Sequence, residues 1–549
     1  MTGLSEPLYY YPIAAAGTIL FIWMTLTSSP ALLTSKRGEW LFLGSVGLCL
    51  FALRWPFFLF PNPINVDEGQ WVACAIKASR NIVPWLGFES TTSGPLNCDV
   101  LVLPALLGFK ITFFSARVVG LCLVTGSLWA VYFALKWLYD PTIGRLAVAP
   151  PLLLLSFTKE GDFIHYSSEL LPVFLTTTAF AAATFVVTKR GSARLRSGML
   201  ALAGFCVGCT PFAKLQAAPL ALAEFVVIGA FLLVRDPVGK GRRIAGLAIL
   251  TGSAALMPVA MLISVLLWHT LKDAIISYFG MAMLHIEAGQ PVNVAFFFHS
   301  IPEYTAFLVA SGLVILTALS FASIAARPFL PQIWGLFSAT VLLATSIYAI
   351  YAAHRPYCHY LLLSVMPLTL LTGNALGLML RARCFAATRR GVSAAFVSVF
   401  LPTVVIAAHS HNGYGLNNRP PLRPEVVAIA RYVKPGDLLA VWGWKPEYFV
   451  QTGTIMATRD SQTQRQIDLN KYREYFRQRF MEDLSRNLPT VFVDGVSPGS
   501  FTYNNRKAYG LDDFPALDSF VRNHYVLKEE INGVRIFVIE DKAAGNVKP

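Results

Sequence analysis

Four short stretches carry side chains whose types and spacing could do chemistry. Asn65-Val66-Asp67-Glu68 sets two adjacent carboxylates just after an apolar run. A carboxylate so placed can act as a general base toward a hydroxyl. The pair also suits an ordinary helix start, with Asp67 as N-cap and Glu68 favoured by the helix dipole. Asp162-Phe163-Ile164-His165-Tyr166-Ser167-Ser168-Glu169 precedes another apolar run. Its i, i+4 spacing lets His165 and Glu169 share one helix face. A divalent metal would need a third ligand, for which Asp67 is the candidate; the plainer alternative is a polar cap on Leu170-Leu171-Pro172. Lys214 lies between two apolar runs, and His354-Arg355-Pro356-Tyr357-Cys358-His359-Tyr360 opens a later one. An Arg with two His at a lipid boundary can hold a phosphate by charge-assisted hydrogen bonds. Each of these two segments could equally be an interfacial anchor.

The elements that must position these groups are membrane helices. Of the 549 residues 55% are hydrophobic and 14% charged, against about a quarter charged in soluble domains. Apolar stretches near 20 residues recur to about residue 410, each able to cross a hydrocarbon core of about 30 Å. The expected spans are 9–29, 39–60, 116–138, 142–158, 167–188, 198–213, 215–234, 244–268, 303–325, 331–353, 357–380 and 392–410. The N-terminal stretch has no Lys or Arg before its apolar run, so it reads as a retained span rather than a cleaved signal.

Net charge is +14, and the segment before residue 411 holds 26 basic against 15 acidic residues. The clusters at Lys36-Arg37, Lys189 to Arg196, Arg235 to Arg243 and Arg381 to Arg390 all fall on one side of the twelve-span arrangement. That side is the expected cytoplasm, with the N-terminus outside. Residues 100–114, short and broken by Pro104, read as a helix on the outer leaflet, inside a long first exoplasmic loop, 61–115. Asp67, Glu68, Glu89, Asp99, Glu160, Asp162, Glu169, Asp273, Glu287, Glu303 and all nine histidines then gather at the exoplasmic face. Ionisable groups concentrated at one membrane face mark it as the active one. The basic residues are not interleaved with aromatics in a solvated patch, so no nucleic acid is expected, and no nucleotide-binding loop motif occurs.

Residues 411–424 read as a polar, Pro/Gly-rich linker. Beyond it, 437–444, 489–496, 524–530 and 533–541 read as strands, the last two flanking an Ile-Asn-Gly-Val turn. Residues 465–487 and 515–522 read as helices. The expected fold class is therefore an α-helical polytopic membrane protein with a small C-terminal α/β exoplasmic domain, 425–549. Asp460 and Asp494 there read as turn residues. Of eight cysteines, Cys49, Cys122 and Cys206 read as buried hydrophobes. Cys206 and Cys209 form a CxxC with no second pair, which is not a zinc pattern. Cys74 and Cys98 are either a disulfide or two free thiols.

Asp67-Glu68 after the first exoplasmic entry, Ser93-Gly94-Pro95-Leu96 in the same loop and Ser115-Ala116-Arg117 opening the next span resemble the GT-C glycosyltransferases. The likeness is to the protein-O-mannosyltransferase and aminoarabinose-transferase branch, over most of residues 60–380. The resemblance implies about twelve membrane helices, a polyprenyl-phosphate-linked sugar donor, and inverting transfer to an exoplasmic acceptor: a glycan, lipid or protein hydroxyl. It implies a multi-pass protein of the inner (plasma) membrane. Carried over by position, Asp67 is the base with Glu68 beside it, Glu169 the acidic residue of a later span, and Lys214, Arg355, His359 and Tyr360 the donor-phosphate residues. Thr92-Ser93-Gly94-Pro95 stands where aminoarabinose transferases have Glu-Lys-Pro-Pro. The first span and the Val441-to-Gly453 segment look like uncharacterised bacterial relatives. A transporter or flippase of lipid-linked sugars is the alternative, with Glu224 as its deeper ionisable group; a non-catalytic assembly partner is the third reading.

Overall fold

The computed structural model describes residues 7–27, 29–188, 191–235, 239–325, 330–381, 400 and 420–540. Among these, eight helices are long and apolar enough to cross a membrane: Lys36–Phe58, Phe113–Leu138, Leu170–Thr188, Ala193–Ala213, Leu215–Val234, Lys240–Leu267, Leu330–Ala352 and Cys358–Leu380. Shorter apolar helices at Tyr10–Leu26, Pro141–Phe157 and Pro302–Ala318 lie on three further expected spans. The expected span 392–410, residue 400 apart, and most of the linker 411–424 lie outside the described residues. The chain is a multi-pass membrane protein.

Its contacts divide it into two units, both discontinuous in sequence. The first is Met1–Leu59, Val118–Ile263 and His285–Asn418; the second is Phe60–Arg117, Ser264–Leu284 and Arg419–Pro549. The first loop thus belongs with the C-terminal segment, where the sequence suggested separate domains.

In the first unit, two buried arginines lock helix ends together. Arg145 donates to the carbonyls of Met24 at 2.9 Å and Leu32 at 2.6 Å. Arg54 donates to Leu155 O and Phe163 O, both at 2.8 Å, tying its helix to the loop that carries Glu169. Guanidinium groups suit this work because they bring several fixed donors to carbonyls that helix ends leave unpaired. Close helix approach needs small residues: a Cβ on Gly377 would lie 2.6 Å from the Tyr139 ring.

The second unit contains a five-stranded sheet in the order β2-β1-β3-β5-β4. Its strands are β1 (Leu438–Trp442), β2 (Ile455–Met456), β3 (Val491–Asp494), β4 (Tyr525–Ile531) and β5 (Val534–Ile539). β1 runs parallel to β2 and β3, and the β4–β5 hairpin joins antiparallel to β3. Asn532 and Gly533, at φ 51° and 81°, make the two-residue turn that such a hairpin requires. β2 is too short to show in the pattern. The expected helix 465–487 is two helices, Gln464–Ile467 and Arg473–Asn487. Asn470 interrupts it, donating to Asp468 O at 2.9 Å and accepting from Tyr472 N at 2.9 Å, a local turn that competes with helix.

Asp460 and Asp494 are ion-pair partners, and Asp494 also serves a turn by accepting from Val496 N at 3.2 Å. Asp494 is fully buried and meets Arg535, its cross-strand partner, at 2.6 Å. Asp460 meets Arg479 at 2.9 Å, and Arg479 also reaches Glu89 at 3.3 Å. Arg465 meets the other Glu89 oxygen at 3.2 Å. These pairs fasten the first loop to the C-terminal helices within the second unit. Cys74 and Cys98 are buried free thiols. Residues 96–106 are helical in short pieces, ending in exposed Leu106, Leu107 and Phe109.

Candidate active site

Three chain segments of the first unit bring their polar residues to one place. Glu169 stands immediately before helix Leu170–Thr188, where the helix dipole favours a carboxylate. Lys214 ends helix Ala193–Ala213 in extended backbone, φ −158° and ψ 123°, which turns its side chain out of the helical path. His359 and Tyr360 lie in the single turn that opens helix Leu362–Arg381. The chain reaches that turn through His354, whose φ of 52° stops the preceding helix, and Arg355, which Pro356 holds extended.

Lys214 is hydrogen-bonded to Glu169 Oε1 and, at 2.8 Å, to Ser168 Oγ. Ser167 donates to Glu169 Oε2, so both carboxylate oxygens are engaged. Burial pushes the Glu169 carboxyl up, but the charge of Lys214, with that of His359 behind it, holds it at about 2. The Lys214 ammonium sits 4.8 Å from the Tyr360 ring centroid, a cation–π contact. His359 Nε2 is 3.9 Å from Glu169 Oε1, and its Nδ1 is 3.2 Å from Asp162 Oδ2. Burial alone would raise the Asp162 carboxyl; its hydrogen bond to His359 and the charge of that ring bring it down to about 2.

Arg355 is half-buried and donates from Nε to His285 O at 3.3 Å. Among the described residues it has no carboxylate partner. His285 is lowered to about 4, first by burial and then by the charges of Arg355, Lys214 and His359. Of these three cations Lys214 and His359 are paired with carboxylates, and Arg355 is the one without such a partner among the described residues. The structure brings together Glu169, Lys214, His359 and Tyr360, with Arg355 acting on the same histidine. Asp162, Ser167, Ser168 and His285 complete the group. The first three lie within the motif that pointed to Glu169, whereas nothing in the sequence singled out His285.

His165 and Glu169 do not share a helix face. The helix Gly161–Ile164 ends at His165, and the next begins at Leu170; between them Ser167 forms a local turn, accepting from Glu169 N at 3.3 Å. His165 Nδ1 lies 2.7 Å from Gly161 O. Among the described residues no three His, Cys, Asp or Glu side chains are grouped to hold a metal ion. The expected set Asp67, His165 and Glu169 does not fit one, since Lys214 already neutralises Glu169.

Asp67 and Glu68 belong to the second unit. Asn65, not Asp67, caps helix Val66–Ala78, accepting from Asp67 N at 2.8 Å. Asp67 is thus the second helical residue, half-buried, with Gln70 Nε2 on its Oδ1 at 3.0 Å. Glu68 is fully buried against Arg117, whose Nε and Nη2 meet its two oxygens at 2.7 Å each. Arg117 also donates to Phe60 O at 2.6 Å and Asn62 O at 2.8 Å, and Ile64 N donates to Glu68 at 2.9 Å. Two of the sequence signals, Asp67-Glu68 and Ser115-Ala116-Arg117, therefore meet in one bidentate ion pair that fixes the loop before Asp67.

Glu224, midway along Leu215–Val234, is buried with neither carboxylate oxygen hydrogen-bonded among the described residues. Trp334 Nε1 and Ser338 Oγ line the same small cavity and are likewise unpaired.

No family model and no curated protein matches the chain, but solved structures do. ArnT from Cupriavidus metallidurans bound to undecaprenyl phosphate aligns over 93% of this chain and 100% of its own, at 14% identity and a TM-score of 0.56. Its apo state aligns over 92% and 98%, again at 14% identity and 0.56. The mycobacterial arabinofuranosyltransferase AftD aligns over 92% of this chain and 42% of its own, at 14% identity and 0.48. At 14% identity the likeness to the two ArnT structures establishes the fold alone: the chain shares the fold of ArnT.

Proposed function

We propose that the chain is an inverting glycosyltransferase that moves a sugar from a polyprenyl-phosphate donor to a hydroxyl acceptor at the exoplasmic face. The observation that carries this reading is the meeting of Lys214, Glu169 and His359 at the ends of apolar membrane helices, with Arg355 bonded to the neighbouring His285 carbonyl. A lipid phosphate gains charge as it leaves the anomeric carbon, and fixed cations in a dry site stabilise that charge most. Support comes also from the fold shared with ArnT, which binds undecaprenyl phosphate.

In this reading Lys214 and Arg355 hold the phosphate, and His359, kept in place by Asp162, assists. Glu169 holds Lys214 oriented. With its carboxyl at about 2, Glu169 is a poor proton acceptor near neutral pH; the base in this reading is Asp67, as the first-loop resemblance implies. Asp67 takes the acceptor's proton as its oxygen attacks the anomeric carbon, and the bond to the lipid phosphate breaks on the opposite face. Glu68 is committed to Arg117 and holds the loop.

The transporter reading rests on Glu224, a mid-span carboxyl with no partner among the described residues. Reconstituted protein given labelled polyprenyl-phosphate sugars separates the two. Transfer to a soluble or lipid acceptor, reduced in Arg355→Ala by about 2–4 kcal/mol of transition-state stabilisation, supports the transferase. Movement of intact donor between leaflets without cleavage, unaffected by Arg355→Ala, would overturn it.

A further inference from the structure

The far ends of the same helices enclose a second site. A cavity of about 860 Å³ lies where Leu170–Thr188 and Leu215–Val234 end and Ala193–Ala213, Lys240–Leu267 and Leu330–Ala352 begin. Helix Leu170–Thr188 has 19 residues, so the cavity lies about 28 Å along it from Glu169. It therefore opens at the opposite membrane boundary from the phosphate cluster.

Its walls are of two kinds. Among the described residues Arg196, Arg235 and Arg242 line it, with no Asp or Glu. Arg196 is fixed by donating to Val186 O at 2.8 Å; Arg235 and Arg242 are exposed. Apart from Thr188 and Ser197, the remaining wall is apolar, with Leu200, Phe231 and Ile249 prominent. Three guanidinium groups above an apolar slot, at the level where helices leave the hydrocarbon, match a ligand with an anionic head and an acyl tail. A free phosphate would not use the apolar wall, and an acidic protein segment would not reach down it. The volume falls in the range of ligand pockets, about 300–1,000 Å³, and basic pockets between membrane helices are the usual seats of anionic lipid heads.

We propose that this cavity binds an anionic phospholipid of the leaflet opposite the phosphate cluster, its phosphate held by Arg196, Arg235 and Arg242 and its acyl chain along Leu200 and Phe231. The site is separate from the transfer reading and stands without it.

The test is native mass spectrometry of the delipidated full-length protein titrated with phosphatidylglycerol, phosphatidylcholine or inorganic phosphate. Phosphatidylglycerol should bind the wild type selectively. Arg235→Ala/Arg242→Ala should bind it about 30-fold more weakly, and Arg235→Lys/Arg242→Lys should retain most of the affinity. Both positions are exposed, so folding should survive; if the double variant aggregates, Arg242→Ala alone should show about a fivefold loss. Equal affinity for the two lipids, unchanged binding in the alanine variants, or displacement by inorganic phosphate would each overturn the proposal.

Discussion

His359 meets a single oxygen of Asp162 twice, through its backbone N–H at 3.1 Å and its ring Nδ1 at 3.2 Å. One carboxylate thus fixes both the turn and the ring, and directs Nε2 toward Glu169. Asp162 is a positioning residue in the proposed site.

Asp162→Asn keeps the size of the side chain but removes its charge. Binding of polyprenyl phosphate should weaken by about tenfold, the worth of one charge-assisted hydrogen bond. The folded-state carboxyl stands at about 2, below its ordinary 3.8, so its stabilisation is complete above about pH 4 and is lost as pH falls through about 2. Thermal melts should show a wild-type advantage over Asp162→Asn that is full just above about pH 4, where the His359 ring is charged, and shrinks below it. An advantage that grows on acidification below about pH 4 would contradict this assignment.

Lys214 and Glu169 separate structure from function through a double variant. Lys214→Ala leaves a buried, unpaired carboxylate and should destabilise by about 3–5 kcal/mol. Adding Glu169→Gln should restore most of that stability but none of the phosphate binding. Recovery of both would make the pair purely structural.

Arg117 and Glu68 should behave differently. Arg117→Ala removes two bonds to the carboxylate and two to backbone carbonyls, and should cost about 3–5 kcal/mol. Arg117→Lys should recover little, because an ammonium cannot span both carboxylate oxygens. Unfolding midpoints compare the three proteins; equal stability of Arg117→Lys and wild type would show that the bidentate geometry is unimportant.

The membrane spans were legible because a run of about 20 apolar residues has few other uses in water. The hairpin was legible because Asn532-Gly533 sits between alternating strands. The gathering of Glu169, Lys214 and His359 was not, since residues 45 and 145 positions from Lys214 come together only through helix packing. Local competition hid the rest: Asn65 took the cap that Asp67 seemed to hold, Ser167 split the helix expected from His165 to Glu169, and Asn470 broke the one after residue 464. The ion pairs of Asp460 and Asp494 were hidden because their partners, Arg479 and Arg535, are distant in sequence.

The most direct test of the proposed transfer chemistry is turnover of Asp67→Asn measured beside its binding of polyprenyl phosphate. The amide can replace the carboxylate in size and hydrogen bonding but cannot accept the acceptor's proton. Turnover should fall by about 10²–10⁴-fold, the usual worth of a positioned base, while lipid-phosphate binding stays at the wild-type level. Near-full turnover in Asp67→Asn, with loss in Glu169→Gln at unchanged lipid binding, would contradict it and make Glu169 the base.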